Sequence, residues 1–472
     1  MIDLTTLSMA DVVKSITRRE RSAVEITTSA LERVRQLNGK VRALITVMDQ
    51  QALDRAAAID QDVVSGSLPR LPLLGVPIVI KDSFWTKGVR TTAGSKVLAD
   101  FVPREDASVV ERLAKAGAIV IGKASLHEFA YGFTNRNPHY GDCLNPWDTS
   151  RVPGGSSGGN AAALATGMAL GAVGGDTGGS IRQPAGLCGV VGLKVTYGRV
   201  SRSGGVPLSW SLDTVGPMTR TVADAARMLN VMAGHDPKDP TTRQGPVPDF
   251  AADLEGDLKG LRVGIPHDRF LAAVDPEVGA AMQEAFGVLK ERGATLVDVR
   301  FPPIDAAIGA HRVVLFSEAS AAHETMVRQR GGELSDDVRP LLQAGLFLTS
   351  AQYLAGRQAR LQTIAEYRQL WKGFDALVTP ASPIGAPAIG DTSTRLAGND
   401  VPLVRAFLDL TCPFNLTGQP ALVLPAGLTK GGLPIGMQLV GRPWEEATLL
   451  RIGAAFERAT EWHKKRPNLL NA

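Results

Sequence analysis

Apolar residues recur at helical spacing from Ala23 to Leu37, and Asn38-Gly39 supplies a stop for that helix. A second helical stretch runs from Gln50 to Val64. The period then changes. Val76 to Ile80 is a short β-branched run between Gly75-Val76-Pro77 and the polar Lys81-Asp82-Ser83, which predicts a buried strand. Asp106 to Ala116 predicts a helix stopped by Gly117, with a strand over Ala118 to Ile121. Further strands are predicted at Leu261 to Ile265, Thr295 to Val299, Ala376 to Val378, Ala421 to Leu424 and Met437 to Val440. Helices separate them, the longest within Ala306 to Arg330 and Ser350 to Lys372. The last, Glu445 to Glu461, carries the apolar stripe Leu449, Leu450, Ile452, Ala455 and Phe456. Such alternation predicts an α/β chain with a mixed, mostly internal β-sheet sandwiched between helices.

No break in composition divides the sequence, so residues 1–472 are expected to form a single domain with a helical N-terminal segment over 1–65. His235 to Asp249 and Pro380 to Asn399 read as the long surface loops, and no internal repeat is found. A chain of 472 residues buries about three quarters of its extended surface, enough for a core without disulfide or metal. Lys plus Arg is 51 and Asp plus Glu is 47, a net charge of +4. That is too little to argue for nucleic acid as a main partner, so none is expected. Cys143, Cys188 and Cys412 are far apart and form no C-x-x-C pair, which fits a reducing compartment and neither a zinc site nor a disulfide framework. The first residues carry Asp3 and Asp11 and lack a basic-then-apolar pattern, so no secretory signal is expected. The apolar run Ala161 to Gly175 is short of the roughly 20 residues a bilayer requires. A cytoplasmic address without membrane partners is the expectation.

Glycine changes the picture. Of 50 glycines, fourteen fall between Gly154 and Gly198, interleaved with Ala, Val, Leu and Ile. Buried glycine marks backbone that turns sharply or approaches something closely, and tight helix–sheet packing is the plain alternative.

Several motifs nearly match and fail. Gly117 to Gly122-Lys123 resembles a phosphate-binding loop, but Ala124 stands at the Ser/Thr position and the interior is an apolar strand. His127-Glu128 begins a zinc-protease pattern that Tyr131 breaks. Gly154-Gly155-Ser156-Ser157-Gly158 fits the nucleophile elbow, yet a Pro-rich polar loop precedes it where a strand is required. A better candidate is Ser180, in the turn Asp176-Thr177-Gly178-Gly179-Ser180-Ile181-Arg182. Consecutive amides of Thr177, Gly178 and Gly179 can converge there on an oxyanion. A nucleophilic serine needs a base, and neither Gly-rich motif contains a histidine. Lys81 follows an apolar strand, and burial disfavours its ammonium. Lowering a lysine from about 10.4 towards 8 costs roughly 3 kcal/mol. The competing reading of a Lys-Asp pair after a strand is a solvated strand end.

Pro153 to Gly159, followed by Gly175 to Ala185, closely resembles the amidase signature family, and Gly75 to Asp82 is similar to its lysine strand. The serines stand 24 residues apart, as in that family, and the resemblance runs from about Leu7 to Trp462, weakest over about 239–399, a variable substrate-specificity region. The resemblance implies Ser180 as nucleophile, Ser156 as bridging serine after a cis peptide bond, and Lys81 as base. It further implies an acyl-enzyme intermediate, an oxyanion hole at Thr177, Gly178 and Gly179, and no metal or organic cofactor. Asp176 and Arg182 then brace the turn, and Ser157 is a structural neighbour. Family analogy places Phe129, Ala130, Tyr131 and parts of Ala306 to Gly345 and Arg405 to Asn415 along the substrate pocket.

Thr91 to Ser95, Tyr197 to Ser201 and Trp462 to Lys464 are most similar to the family's amidotransferase A subunits, and Asp409 matches an aspartate of their glutamine site. The basic stretch of that site is replaced by Asp337-Val338-Arg339-Pro340-Leu341-Leu342. The departure points to a stand-alone amidase hydrolysing an aliphatic amide, anilide or carbamate (a urethanase). The alternative is the glutaminase subunit of a tRNA-dependent amidotransferase. The expected partners are a small amide and water, with a homodimer allowed because relatives form dimers.

Overall fold

A computed structural model describes residues 2–66, 71–268 and 270–470; Met1, which opens the expected N-terminal segment, lies outside them. The strands are β1 (Leu44–Val47), β2 (Pro77–Lys81), β3 (Ile119–Ala124), β4 (Gly171–Asp176), β5 (Val191–Lys194), β6 (Thr214–Thr219), β7 (Arg262–Ile265), β8 (Thr295–Asp298), β9 (Ala376–Pro380), β10 (Ser393–Leu396), β11 (Asn399–Pro402), β12 (Ala421–Leu428) and β13 (Pro434–Gly441). Eleven form one sheet in the order β1-β3-β2-β4-β6-β5-β12-β13-β9-β7-β8, and β10 pairs with β11 apart from it. The sheet is mixed: β2 runs parallel to β3 and β4, and β7 parallel to β8 and β9, while the middle of the sheet, from β4 to β9, is antiparallel. Helices flank it, and the expected architecture is the one observed. The accessible surface is 17849 Å², close to the roughly 17,000 Å² that size scaling gives.

β2 behaves as its sequence predicts. Ile78, Val79 and Ile80 are wholly buried between neighbours on both sides, as a central parallel strand requires. The strand extends one residue further than the β-branched run, so Lys81 itself lies in the ladder opposite Ala124.

β4 and β6 escape sequence reading. β4 reads Gly-Ala-Val-Gly-Gly-Asp, and β6 contains Gly216 and Pro217, residues depleted from strands. Their necessity is packing. A Cβ on Gly216 would sit 2.0 Å from the Leu193 carbonyl oxygen, so only glycine lets β5 and β6 close. Pro217 is tolerated because the β5–β6 ladder covers only Met218 and Thr219.

The first long helix spans Ala23–Val41, past the predicted stop. Asn38 turns its side chain instead to the backbone of Leu44, donating to the carbonyl at 3.1 Å and accepting the amide at 2.8 Å. Among the described residues no helix is long and apolar enough to cross a membrane.

Candidate active site

Because β2 and β4 are parallel neighbours, their C-terminal ends bring Lys81 and Asp176 to one rim of the sheet, where open α/β sheets place ligands. Lys81 is 1% exposed. Its Nζ donates to Ser156 Oγ at 2.7 Å and approaches the Gly175 carbonyl at 3.5 Å. Burial pushes its pKa down to about 7, against the opposing pull of the Asp176 and Asp213 carboxylates. Roughly half of the amine is therefore neutral at pH 7, where a free lysine is almost wholly charged.

Depression alone does not single out this lysine. Lys123 and Lys194 are also buried and lowered, to about 8 and about 7. Both are tied up: Lys123 by the Phe84 carbonyl, Thr91 and Asp82, Lys194 by the carbonyls of Val195 and Gln419. Lys81 differs in lining a cavity and in touching a serine.

Ser156 follows Gly155 through a cis peptide bond and is wholly buried. The adjacent Ser157 donates its amide to the Ser180 carbonyl at 3.1 Å and its hydroxyl to the Gly175 carbonyl at 3.2 Å, which ties the two serine segments together. No hydrogen bond joins Ser156 Oγ to Ser180 Oγ among the described residues. Ser180 opens instead on a cavity of about 500 Å³, and Lys81 on one of about 230 Å³. Ala130, Thr177 and Leu208 line both, so the cavities adjoin at the turn.

The turn is pinned from behind through its carbonyls. Thr214 Oγ1 and Asn415 Nδ2 hold the Asp176 oxygen, His311 Nε2 holds that of Thr177 at 2.9 Å, and Thr411 Oγ1 that of Gly178 at 2.5 Å. In a trans peptide the N–H points opposite the C=O, so these pins aim the amides of Thr177 and Gly178 away from the braces. Neither amide has a partner among the described residues, nor has that of Ser180.

The expected oxyanion set needs one correction. The Gly179 amide donates to Asp176 Oδ1 at 2.9 Å and is not free to meet an oxyanion. Gly179 has a different duty. Its φ of +135° and the 2.6 Å that a Cβ would leave to Thr411 Oγ1 admit glycine alone. Asp176 also takes the Ile181 amide and pairs with Arg182, whose guanidinium holds the carboxyl well below its usual range although burial raises it.

Tyr131 lines the larger cavity beside Ala130; burial pushes its hydroxyl far above the phenol range. Asp409 does not line it. It lies one residue past Leu408 of the wall and pairs with Arg405 at 3.2 Å. The segment that departs from the amidotransferase pattern does reach the site: Asp337 and Leu341 are in the wall, and Asp337 accepts from His127 Nε2 at 2.9 Å. Sequence reading places the segments that hold His311, Thr411 and Asn415 at the pocket by family analogy but singles out none of the three, which reach the turn from more than 130 residues away.

A buried lysine thus touches one serine, beside a pinned glycine turn that carries another, and the profile of the Amidase family matches residues 25–450. The chain belongs to that family and is an amidase signature enzyme, acting on carbon–nitrogen bonds. It is 44% identical to the A subunit of the glutamyl-tRNA(Gln) amidotransferase of Chloroflexus aggregans (strain MD-66 / DSM 9485), over 100% of both chains. Among solved structures it matches one from a vestigial protein complex bearing on the origins of an s-triazine catabolic enzyme (TM-score 0.91, 35% identity, 96% of this chain and 98% of that one). It also matches the A subunit of the Thermotoga maritima glutamyl-tRNA(Gln) amidotransferase (TM-score 0.82, 34% identity, 98% and 96%).

These relatives overturn the expectation that nucleic acid has no part. Net charge reports the field of this chain alone and is silent about an RNA bound elsewhere in an assembly.

Proposed function

We propose that the chain is the amide-hydrolysing subunit of an amidotransferase acting on glutamate-charged tRNA, with glutamine as the nitrogen source. End-to-end identity of 44% with a subunit of that name supports this reading over the stand-alone amidase. On this reading the protein works in the cytoplasm, where charged tRNA is used. The 2.7 Å contact of Lys81 Nζ with Ser156 Oγ carries the chemistry.

In the proposed reaction Ser180 Oγ first turns towards Ser156 Oγ, and neutral Lys81 then takes the Ser156 proton as Ser156 takes that of Ser180. Ser180 Oγ attacks the carboxamide carbon, and the amides of Thr177, Gly178 and Ser180 meet the oxyanion. Lys81 returns the proton through Ser156 to the leaving nitrogen, and ammonia departs. Water then cleaves the acyl-serine by the same relay. Burial keeps Lys81 desolvated, and hence available as an uncharged base.

One observation favours a second reading, a small-molecule amidase. The cavity wall holds Phe133, Leu315, Phe316, Leu341, Leu403 and Leu408, which suits an apolar acyl or leaving group. Ammonia release from glutamine and from simple amides, with and without co-expressed partner subunits, separates the two. Glutamine hydrolysis that needs the partners, together with amidation of glutamyl-tRNA, supports the first. Partner-independent release from apolar amides, with glutamine refused, replaces it by the second.

A further inference from the structure

The cavity beside Ser180 carries a polar group for which the proton relay has no use. His311, on the helix Asp305–Arg330, is wholly buried and forms part of that cavity's wall. Its Nε2 meets the Thr177 carbonyl oxygen at 2.9 Å. A carbonyl only accepts, so Nε2 carries the proton. Burial lowers the imidazole to about 4, and the ring is neutral at physiological pH. A neutral ring protonated on Nε2 has a bare lone pair on Nδ1.

That atom is buried and has no hydrogen-bond partner among the described residues. An unpaired buried acceptor costs about 1–3 kcal/mol, a cost relieved when a donor arrives. The ring is fixed against the turn, since even a Cβ on Gly178 would lie 3.3 Å from its Cε1. Among the other polar groups of the wall, the Tyr131 hydroxyl is also buried without a partner among the described residues, and it can donate as well as accept. Arg312 only donates, the Asp337 carboxylate is engaged by His127, and that of Asp391 by the Ala388 amide.

We infer that His311 Nδ1 is a specificity-determining acceptor that takes a hydrogen bond from an N–H on the acyl side of the substrate's scissile carbonyl. This rests on amide hydrolysis at Ser180 and deepens it. The substrate class becomes carboxamides whose acyl part carries an amine, amide or ureido N–H, in preference to plain aliphatic or aryl amides. A site built to pair with an N–H rejects the analogue lacking it more strongly than an apolar wall rejects a missing methylene.

The test measures ammonia release by the full chain, with its partner subunits where activity needs them. Glutamine is compared with 4-carbamoylbutanoate, and N-acetylglycinamide with its N-methyl analogue. The expected result is kcat/KM at least about tenfold higher for the N–H member of whichever pair is hydrolysed. His311→Gln keeps a donor for Thr177 but no acceptor at the Nδ1 position; the preference should vanish, mainly through KM. His311→Asn places an oxygen near the Nδ1 position; the preference should survive while kcat falls for both members. Equal kcat/KM in the parent enzyme, or a His311→Gln that lowers both members equally, overturns the inference and leaves His311 a brace of the turn. Failure of the parent to release ammonia from all four, with release from apolar amides retained, overturns this inference alone; failure with every amide overturns the proposed amide hydrolysis at Ser180 as well.

Discussion

Arg182 grips both oxygens of Asp176, Nε to Oδ2 at 3.0 Å and Nη2 to Oδ1 at 3.0 Å, with neither side chain exposed. The same carboxylate receives the amides of Gly179 and Ile181, and the same guanidinium reaches Thr411, Gln438 and Asn415. One ion pair thereby joins the turn to β13 and to the segment that carries Thr411.

Breaking it is expected to cost far more than the pair itself stabilises. Arg182→Met strands a buried carboxylate, and removing one partner of such a pair costs about 3–5 kcal/mol. Urea unfolding near neutral pH should show that loss, and a loss under about 1 kcal/mol would contradict the clamp. The folded-state pKa of Asp176 is depressed, so its contribution is present above the unfolded-state pKa and fades as pH falls below about 4. The gap between parent and variant should narrow in acid.

Lys81 predicts a pH profile. The neutral amine is the active form, so kcat/KM should rise with pH through about 7. Lys81→Met should lower turnover by roughly 10²–10⁴-fold, as loss of a general base does, and should remove that limb from any residual rate. Ser180→Ala should abolish turnover while leaving the fold intact. A parent profile flat from pH 6 to 8 would count against an amine base.

Asp224 supplies a stability prediction of opposite slope. Buried beside the helix Met9–Thr17, it accepts the Met9 amide at 3.0 Å, and burial raises its pKa to about 6. The native state therefore holds more protons than the unfolded chain between about pH 4 and 6, and stability falls as pH rises across that window. Asp224→Asn keeps an acceptor for Met9 without the titration. Thermal melts from pH 4 to 7 should find the variant gaining on the parent as pH rises, then holding a constant lead.

Local signals made much of this molecule legible. Val76 to Ile80 is a β-branched run, and its burial follows from composition alone; the position of Lys81 at its end follows from chain connectivity. The serine spacing and the glycines around Ser180 are likewise local. What stayed hidden is what several distant segments decide together. β4 and β6 are strands because packing at Gly216 outweighs propensity. Gly179 loses its place in the oxyanion set because a carboxylate three residues earlier turns back onto its amide. The resemblance places Asp409 at the substrate site, yet it lies outside the cavity wall and its Oδ2 pairs with Arg405. His311 and Thr411 carry no individual signal along the chain, because their role exists only once a helix 134 residues away and a turn 233 residues away pack against the glycine turn.

Thr411 offers the sharpest check on the pinned turn. Its hydroxyl donates to the Gly178 carbonyl, and it borders the spot where a Cβ on Gly179 would stand. Valine keeps the shape and removes the donor. With its carbonyl released, the Gly178–Gly179 peptide gains freedom to rotate, and the neighbouring amides no longer await the oxyanion in fixed positions. Removing an oxyanion donor outright costs about 10²–10³ in kcat, so loosening its support should cost less, about tenfold, with KM little changed. The deficit should appear for every amide tested, because the pin acts on the reacting carbonyl and not on the acyl group. A Thr411→Val enzyme whose loss lay in KM, or varied with the acyl group, would show that the hydroxyl serves the substrate directly and not the turn.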